Sequence, residues 1–200
     1  DFSFIEVHNE NLFRQNAVIL LKVVQMLENI KLKTEEQNQF LGDLFEGFLN
    51  QGVKQSEGQF FTPQPLVRFI VSSLPLQTMI NGTEQAPRVI DYACGAGHFL
   101  NEYAQQIKRF VEKKHLKKYY SAITGIEKEY RLSKVSKVAA FMYGQADINI
   151  IYADALSRIT GKKSVKDNSY SILVSNPPYS VKGFLETLNA ADKKRFRLTE

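Results

Sequence analysis

Asn176, Pro177, Pro178 and Tyr179 place an amide, two rigid residues and an aromatic ring in one short run. Each proline holds φ at about −65° and lacks a backbone donor, so the chain leaves the preceding residues in a stiff, extended form. Asn176 offers a carbonyl oxygen as acceptor, and Tyr179 offers a face for stacking. Together they suit a planar, nitrogen-bearing group. The same four residues also serve as a plain strand-ending turn, and what decides between the two is the company they keep.

Three acids and two glycines supply that company. Asp91, Tyr92, Ala93, Cys94, Gly95, Ala96 and Gly97 follow the apolar pair Val89 and Ile90. Gly95 and Gly97 stand where a strand turns into a helix, so the backbone there can approach a ligand closely. The third glycine of a dinucleotide fingerprint is absent, because His98, Phe99 and Leu100 occupy its place. A tight turn therefore explains the pair as readily as a cofactor does. Glu127 ends a second apolar run, and Asp154 follows a third. In an open α/β sheet, ligands lie outside the carboxyl ends of the strands, so Asp91, Glu127, Asp154 and Asn176 would share one polar rim. There Glu127 could accept from two ribose hydroxyls and Asp154 from an exocyclic adenine amine. Asp91 could either orient the glycine turn or meet a cationic ligand terminus. Upstream, Thr62 reads as a helix N-cap with Pro63 at the first helical position. Phe60 and Phe61 before it are either a hydrophobic staple or a wall of a ligand pocket.

These residues need a frame, and the pattern of apolar residues predicts one. Strands are expected at 89–90, 122–126, 148–151 and 170–174, with helices between the first three. Apolar strands alternating with helices imply right-handed crossovers and a parallel sheet covered on both faces. Residues 11–30 carry Phe13, Ala17, Leu20, Leu21, Val24 and Leu27 at helical spacing. Thr34 and Gln37 read as a capping box for a further helix that runs to Gly52. The expected organisation is an N-terminal helical region over residues 1–55 and an α/β domain over residues 56–200.

Composition is that of a globular chain: 44% hydrophobic, 24% charged, with no apolar stretch long enough to span a bilayer. The first ten residues lack the pattern of a secretory signal, and a single cysteine excludes an internal disulfide, in keeping with a cytoplasmic setting. The chain starts at Asp1 rather than Met and stops in a charged run, which suggests a piece of a longer protein. A net charge of +5 is concentrated in two clusters, at residues 108–118 and 193–197. Such clusters are either solvated helix faces or phosphate contacts. No metal-ligand spacing stands out.

Taken together, Phe60-Phe61-Thr62-Pro63, the 91–97 turn, Glu127, Asp154 and Asn176-Pro177-Pro178-Tyr179 resemble the S-adenosylmethionine-dependent adenine-N6 DNA methyltransferases. The order of motifs resembles the γ class, and Gln59 to Pro63 after a helical region resembles modification subunits of Type I restriction-modification systems. The resemblance spans roughly residues 34–190. It implies a Rossmann-like methyltransferase sheet, partial at about four strands in the order 3-2-1-4, with the fourth strand at an open edge. It implies S-adenosylmethionine as cofactor, with Phe60, Phe61, Thr62 and Pro63 walling its methionine end and Asp91, Cys94, Gly95 and Gly97 beneath it. Glu127 would hold the ribose, and Asp154 the adenine. Asn176 and the Pro177 carbonyl would accept from the amine of a target adenine flipped out of double-stranded DNA, with Pro178 stiffening the segment and Tyr179 stacked on the base. Specificity and restriction subunits would be partners. Single-chain restriction-modification enzymes share this core, protein-glutamine and RNA methyltransferases share the Asn-Pro-Pro-Tyr run, and a non-catalytic DNA- or partner-binding module could keep the fold. Two positions depart from the family pattern: Tyr92 stands where proline is common, and His98 where a small residue is.

Overall fold

Short β-branched runs bounded by turn residues become strands here, and those at 89–91 and 123–127 are buried on both faces. The structure, a computed structural model, describes residues 14–28, 62–81, 85–145, 149–159, 165–166, 168–178 and 188–195. Its sheet has four parallel strands: β1 (Val89–Asp91), β2 (Ile123–Glu127), β3 (Asn149–Tyr152) and β4 (Ile172–Leu173). Their order is β3-β2-β1-β4, so β1 is central and its neighbours carry the chain in the same direction. Register pairs Asp91 with Gly125 and Glu127 with Tyr152, so β2 and β3 end level and β1 ends two residues earlier on the same side of the sheet. β4 is shorter than the five residues its sequence suggests, and Leu173 is 62% exposed at that edge.

The helices are α1 (Ala17–Leu27), α2 (Gln64–Ser72), α3 (Leu76–Asn81), α4 (His98–Ile107), α5 (Leu116–Tyr120), α6 (Tyr130–Met142) and α7 (Ala190–Lys193). α4 is the pivot. Phe99, Leu100, Tyr103, Ala104 and Ile107 join Val67 and Val71 of α2 and Val89, Ile123, Ile150 and Ile172 of the sheet in one core. Its polar face is buried as well, which the apolar pattern did not suggest. Glu102 accepts from Gln106 Nε2 (2.7 Å) and Gln64 Nε2 (3.3 Å), and it lies 3.8 Å from Arg68 Nε. Asn101 Oδ1 accepts from Gln145 Nε2 at 2.9 Å. Buried polar groups are tolerable when bonded in this way.

Several local expectations are revised. Pro63, not Thr62, is the N-cap of α2, at φ −54° and ψ 136°, and no side chain caps that helix. Pro65 takes the early helical position that favours proline. α6 begins at Tyr130, capped by Glu129, whose carboxylate accepts from Arg131 and Leu132 amides. α1 forms where its spacing predicts, yet none of its residues is buried. Its apolar residues run round the helix instead of along one stripe. The capping box at Thr34 and its helix lie outside the described residues.

Gly125 in β2 faces α4 and β3. A Cβ there would stand 2.6 Å from Ile150 Cδ1, 2.8 Å from Leu100 Cδ1 and 2.9 Å from Cys94 Sγ. All three neighbours would have to move together. Gly125→Ala should therefore lower unfolding free energy by about 1–3 kcal/mol, the usual effect of overpacking. Thermal or denaturant unfolding measures it, and an unshifted midpoint would show that the site has slack.

Candidate functional site

The parallel register sets the carboxyl ends of the strands at one rim, and the sequence places an acid or an amide at each. Asp91 closes β1 and is fully buried. Its Oδ1 accepts from Ala93 N at 3.0 Å and from Ser175 Oγ at 2.7 Å. The carboxyl thus shapes the turn after β1 and ties it to the exit of β4. Of the two roles open to Asp91, orienting the turn is the one its bonds express. Burial pushes its pKa from 3.8 up to about 7, with nearby Glu127 adding a small push and the Ser175 and Ala93 bonds opposing it.

The glycine turn is fixed by its own geometry. Gly95 and Gly97 have φ of +53° and +87°, a region that side chains with a Cβ rarely adopt. A Cβ on Gly97 would also stand 2.6 Å from Ser136 Oγ. Four amides of this turn are spent internally. Ala93 N goes to Asp91, Cys94 N to the Ile126 carbonyl, Gly95 N to Glu127 Oε2 at 2.8 Å, and Gly97 N to the Cys94 carbonyl. A pyrophosphate site needs such N–H groups pointing outward. This turn instead has acids around it, and that donor set suits a ligand with cationic and hydroxyl groups.

Glu127 closes β2, with Oε2 bonded to Gly95 N and Oε1 to Glu129 N at 2.7 Å. Burial raises its pKa, while those two amides pull it down. The carboxylate keeps lone-pair positions beyond the two in use. Asp154 lies just past β3. Its Oδ1 accepts from Leu156 N at 3.0 Å, and its Oδ2 pairs with Lys128 Nζ at 2.7 Å. Lys128, the residue after Glu127, therefore bridges the ends of β2 and β3, a contact that strand-end acids alone did not suggest.

Cys94 faces inward. Its thiol packs beside Gly125 and lies 3.9 Å from Ser136 Oγ, so only its backbone borders the turn. Burial, then the negative charge of Asp91 and Glu127, raises the thiol pKa well above normal and keeps it protonated. His98 is buried at the first turn of α4, where burial lowers its pKa and holds the imidazole neutral. Tyr92 is half-buried beside Asp91.

Beyond β4 the chain runs without regular structure through Asn176, Pro177 and Pro178, all three exposed. Asn176 Nδ2 donates to Thr62 Oγ1 at 3.0 Å. Two motifs 114 residues apart in sequence meet here. The structure thus brings together Thr62, Asp91, Gly95, Gly97, Glu127 and Asn176 through direct or one-step bonds, with Asp154 joined through Lys128. Phe60, Phe61 and Tyr179 lie outside the described residues. Ser175 and Lys128 are the members that motif reading missed. Ser175 adjoins the Asn-Pro-Pro-Tyr run, and its hydroxyl at a strand end was the available signal.

The basic segment at 108–118 leads from the end of α4 to the start of β2, at the opposite end of the strands from this rim. In the second cluster, Arg195 Nη1 bonds Asp192 and the Leu156 carbonyl. Among the described residues no three His, Cys, Asp or Glu side chains gather to hold a metal ion, and no helix is long and apolar enough to cross a membrane.

Asp91 offers a titration test. Its folded pKa of about 7 exceeds the ordinary 3.8, so its contribution to stability is complete below the latter and lost as pH rises through the former. Asp91→Asn keeps an acceptor oxygen for Ala93 and Ser175 but cannot titrate. Denaturation series should show a shallower fall in stability between about pH 4 and pH 7 for the variant, by up to about 1.4 kcal/mol per pH unit. Some slope remains, because Glu127 is shifted in the same direction. An identical slope in both proteins would mean that Asp91 ionises at its ordinary pH.

Known proteins resemble this chain in sequence and in fold. The curated relatives include the Type I restriction enzyme MpnII methylase subunit of Mycoplasma pneumoniae, 27% identical over 90% of this chain and 33% of its own length. They also include the Type II methyltransferase M.VspI of Vibrio sp. (strain 343), 26% identical over 79% of this chain and 34% of its own. The chain thus spans about a third of the length of these relatives. Among solved structures, the methyltransferase subunit of a type I restriction-modification system from Streptococcus thermophilus superposes with a TM-score of 0.52 at 19% identity, over 76% of this chain and 31% of that one. A type I restriction-modification assembly superposes at 0.61, also at 19% identity, over 88% and 34%. At that identity the likeness is one of fold. The family model for N-6 DNA methylases matches residues 36–199, and the chain belongs to that family.

Proposed function

We propose that the protein transfers a methyl group from S-adenosylmethionine to the N6 amine of adenine in double-stranded DNA, as the modification subunit of a Type I restriction-modification system. The observation that carries this is the bond from Ser175 to Asp91, which sets the catalytic run directly beside the acid-rimmed glycine turn. Four of the turn's amides are used internally and the carboxylates of Asp91 and Glu127 hold it, an acceptor set that fits a sulfonium amino acid with a ribose better than it fits a phosphate. When bound, the cofactor supplies an electrophilic methyl group on a cationic sulfur.

In this reading the cofactor's methionine end lies over Asp91, which orients the turn, and over the backbone of Cys94, Gly95 and Gly97. Phe60, Phe61, Thr62 and Pro63 border that end. Glu127 accepts from the ribose hydroxyls, and Asp154 accepts from the cofactor's adenine amine while paired with Lys128. At the substrate side, Asn176 Oδ1 and the Pro177 carbonyl accept from the two N–H bonds of the target amine. An adenine amine is a weak nucleophile because its lone pair is delocalised into the ring. Two acceptors on a rigid frame favour a pyramidal nitrogen with that lone pair freed for attack. Positioning and electrostatics then do most of the work. The amine loses a proton after transfer, so no strong base is needed beforehand. A base inside the duplex cannot reach this site, and stacking on Tyr179 offsets part of the few kcal/mol that flipping requires.

DNA and the specificity and restriction subunits are the partners, and the bacterial or archaeal cytoplasm is the setting. A Type II methyltransferase is also among the relatives, matched over a shorter stretch, and it supports as second reading a single-chain enzyme that finds its own sequence. Methylation that needs no specificity partner would select that alternative.

Asn176→Ala tests the assignment in the full-length protein, with labelled S-adenosylmethionine and adenine-containing duplex DNA. Transfer should fall by at least about a hundredfold, as when a positioned polar group is removed from a reacting centre. Cofactor affinity should stay within about twofold, because the amide serves the base. Near-normal methylation by the variant would sink the assignment.

A further inference from the structure

Asn176 is exposed, so packing alone does not set the direction of its amide. The hydroxyl of Thr62 holds it instead, accepting from Nδ2 at 3.0 Å. The two residues are constrained in the same way, because each immediately precedes a proline, Pro63 or Pro177. A following proline confines the preceding backbone to extended conformations. Pro63 is itself extended, at φ −54° and ψ 136°. The bond therefore joins two stiffened segments, one entering α2 and one leaving β4. Thr62 looks like a helix N-cap by sequence, yet α2 has no side-chain cap. Its hydroxyl is thus left for Asn176.

We propose that Thr62 is a positioning residue for the catalytic amide: by accepting from Nδ2 it turns Oδ1 of Asn176 toward the substrate amine. This rests on the methyl-transfer reading of the site. The sense of the amide matters because an amine presents N–H donors. With Nδ2 on Thr62 the side chain meets them with an acceptor, whereas the reversed amide would set N–H against N–H. A hydroxyl that only lined the cofactor pocket would govern cofactor affinity. One that orients Asn176 governs the rate once both substrates are bound.

The two roles separate in full-length Thr62→Val, with Thr62→Ser as the conservative partner. Labelled S-adenosylmethionine and duplex DNA give kcat, and calorimetry gives the Kd of S-adenosylmethionine. Thr62→Val should lower kcat about tenfold, the size of one lost orienting hydrogen bond, and by more than it changes the Kd of the cofactor that Thr62 also borders. Thr62→Ser, which keeps Oγ, should recover most of the rate. Thr62→Ala is the second variant should valine disturb the fold, and retained cofactor binding shows that either is folded. An unchanged kcat in Thr62→Val and Thr62→Ala overturns the proposal, and so does a loss that appears wholly in cofactor Kd. If the parent transfers no methyl to adenine, the functional reading fails with it. If the parent is active and the variants are indifferent, only the role of Thr62 fails.

Discussion

One buried carboxyl oxygen holds the two halves of this site in register. Asp91 Oδ1 accepts both from Ala93 N, inside the glycine turn, and from Ser175 Oγ, at the exit of β4. Backbone pairing of β1 with β4 amounts to two residues, too little to fix the segment beyond β4. The side-chain bond extends that pairing past the end of the strand. Placing such an acid in the interior is costly, and the raised pKa of about 7 expresses that cost. The arrangement persists because the oxygen is doubly bonded where the two segments must meet.

The surrounding turn has an electrostatic character that composition would not disclose. Its amides point inward, to Asp91, Glu127 and two carbonyls. A glycine-rich turn of the dinucleotide type uses those groups for phosphate oxygens. Here the missing third glycine and the internal bonding have the same consequence. The site offers negative charge and acceptor atoms, and Lys128 balances it at Asp154. Where the backbone N–H groups go thus distinguishes this turn from a phosphate-binding one, although the glycines of the two look alike in sequence.

Much of this was legible in the chain, and the reasons are specific. Asp91, Glu127 and Asp154 each follow an apolar run, so their place at strand ends followed from period and length, and the strand order followed from the family resemblance. Contacts between distant residues were not legible. Glu102 and Asn101 lie on what reads as the solvent face of α4, yet Gln64, Arg68 and Gln145 cover them from elsewhere in the chain. Thr62 has the residue type and position of an N-cap, and local reasoning assigns its hydroxyl to the helix. A partner 114 residues away takes it instead. Glu129 caps α6 although shorter side chains are preferred there, because its carboxylate reaches two amides at once.

These contacts divide the site into parts of different stiffness. The acids and the glycine turn stand on a sheet packed by α4, whose core residues leave little freedom. Asn176 stands outside that core and is exposed. Its precision must come from covalent geometry and from bonds. Prolines supply the first at both ends of the contact, by limiting the residues that precede them. Thr62 and Asp91 supply the second, one accepting from the amide itself and one from Ser175, the residue before it. An exposed group held by two pre-proline backbones and two flanking bonds can be well aimed while open to its surroundings. Burial, the usual means of fixing a side chain, would close it off.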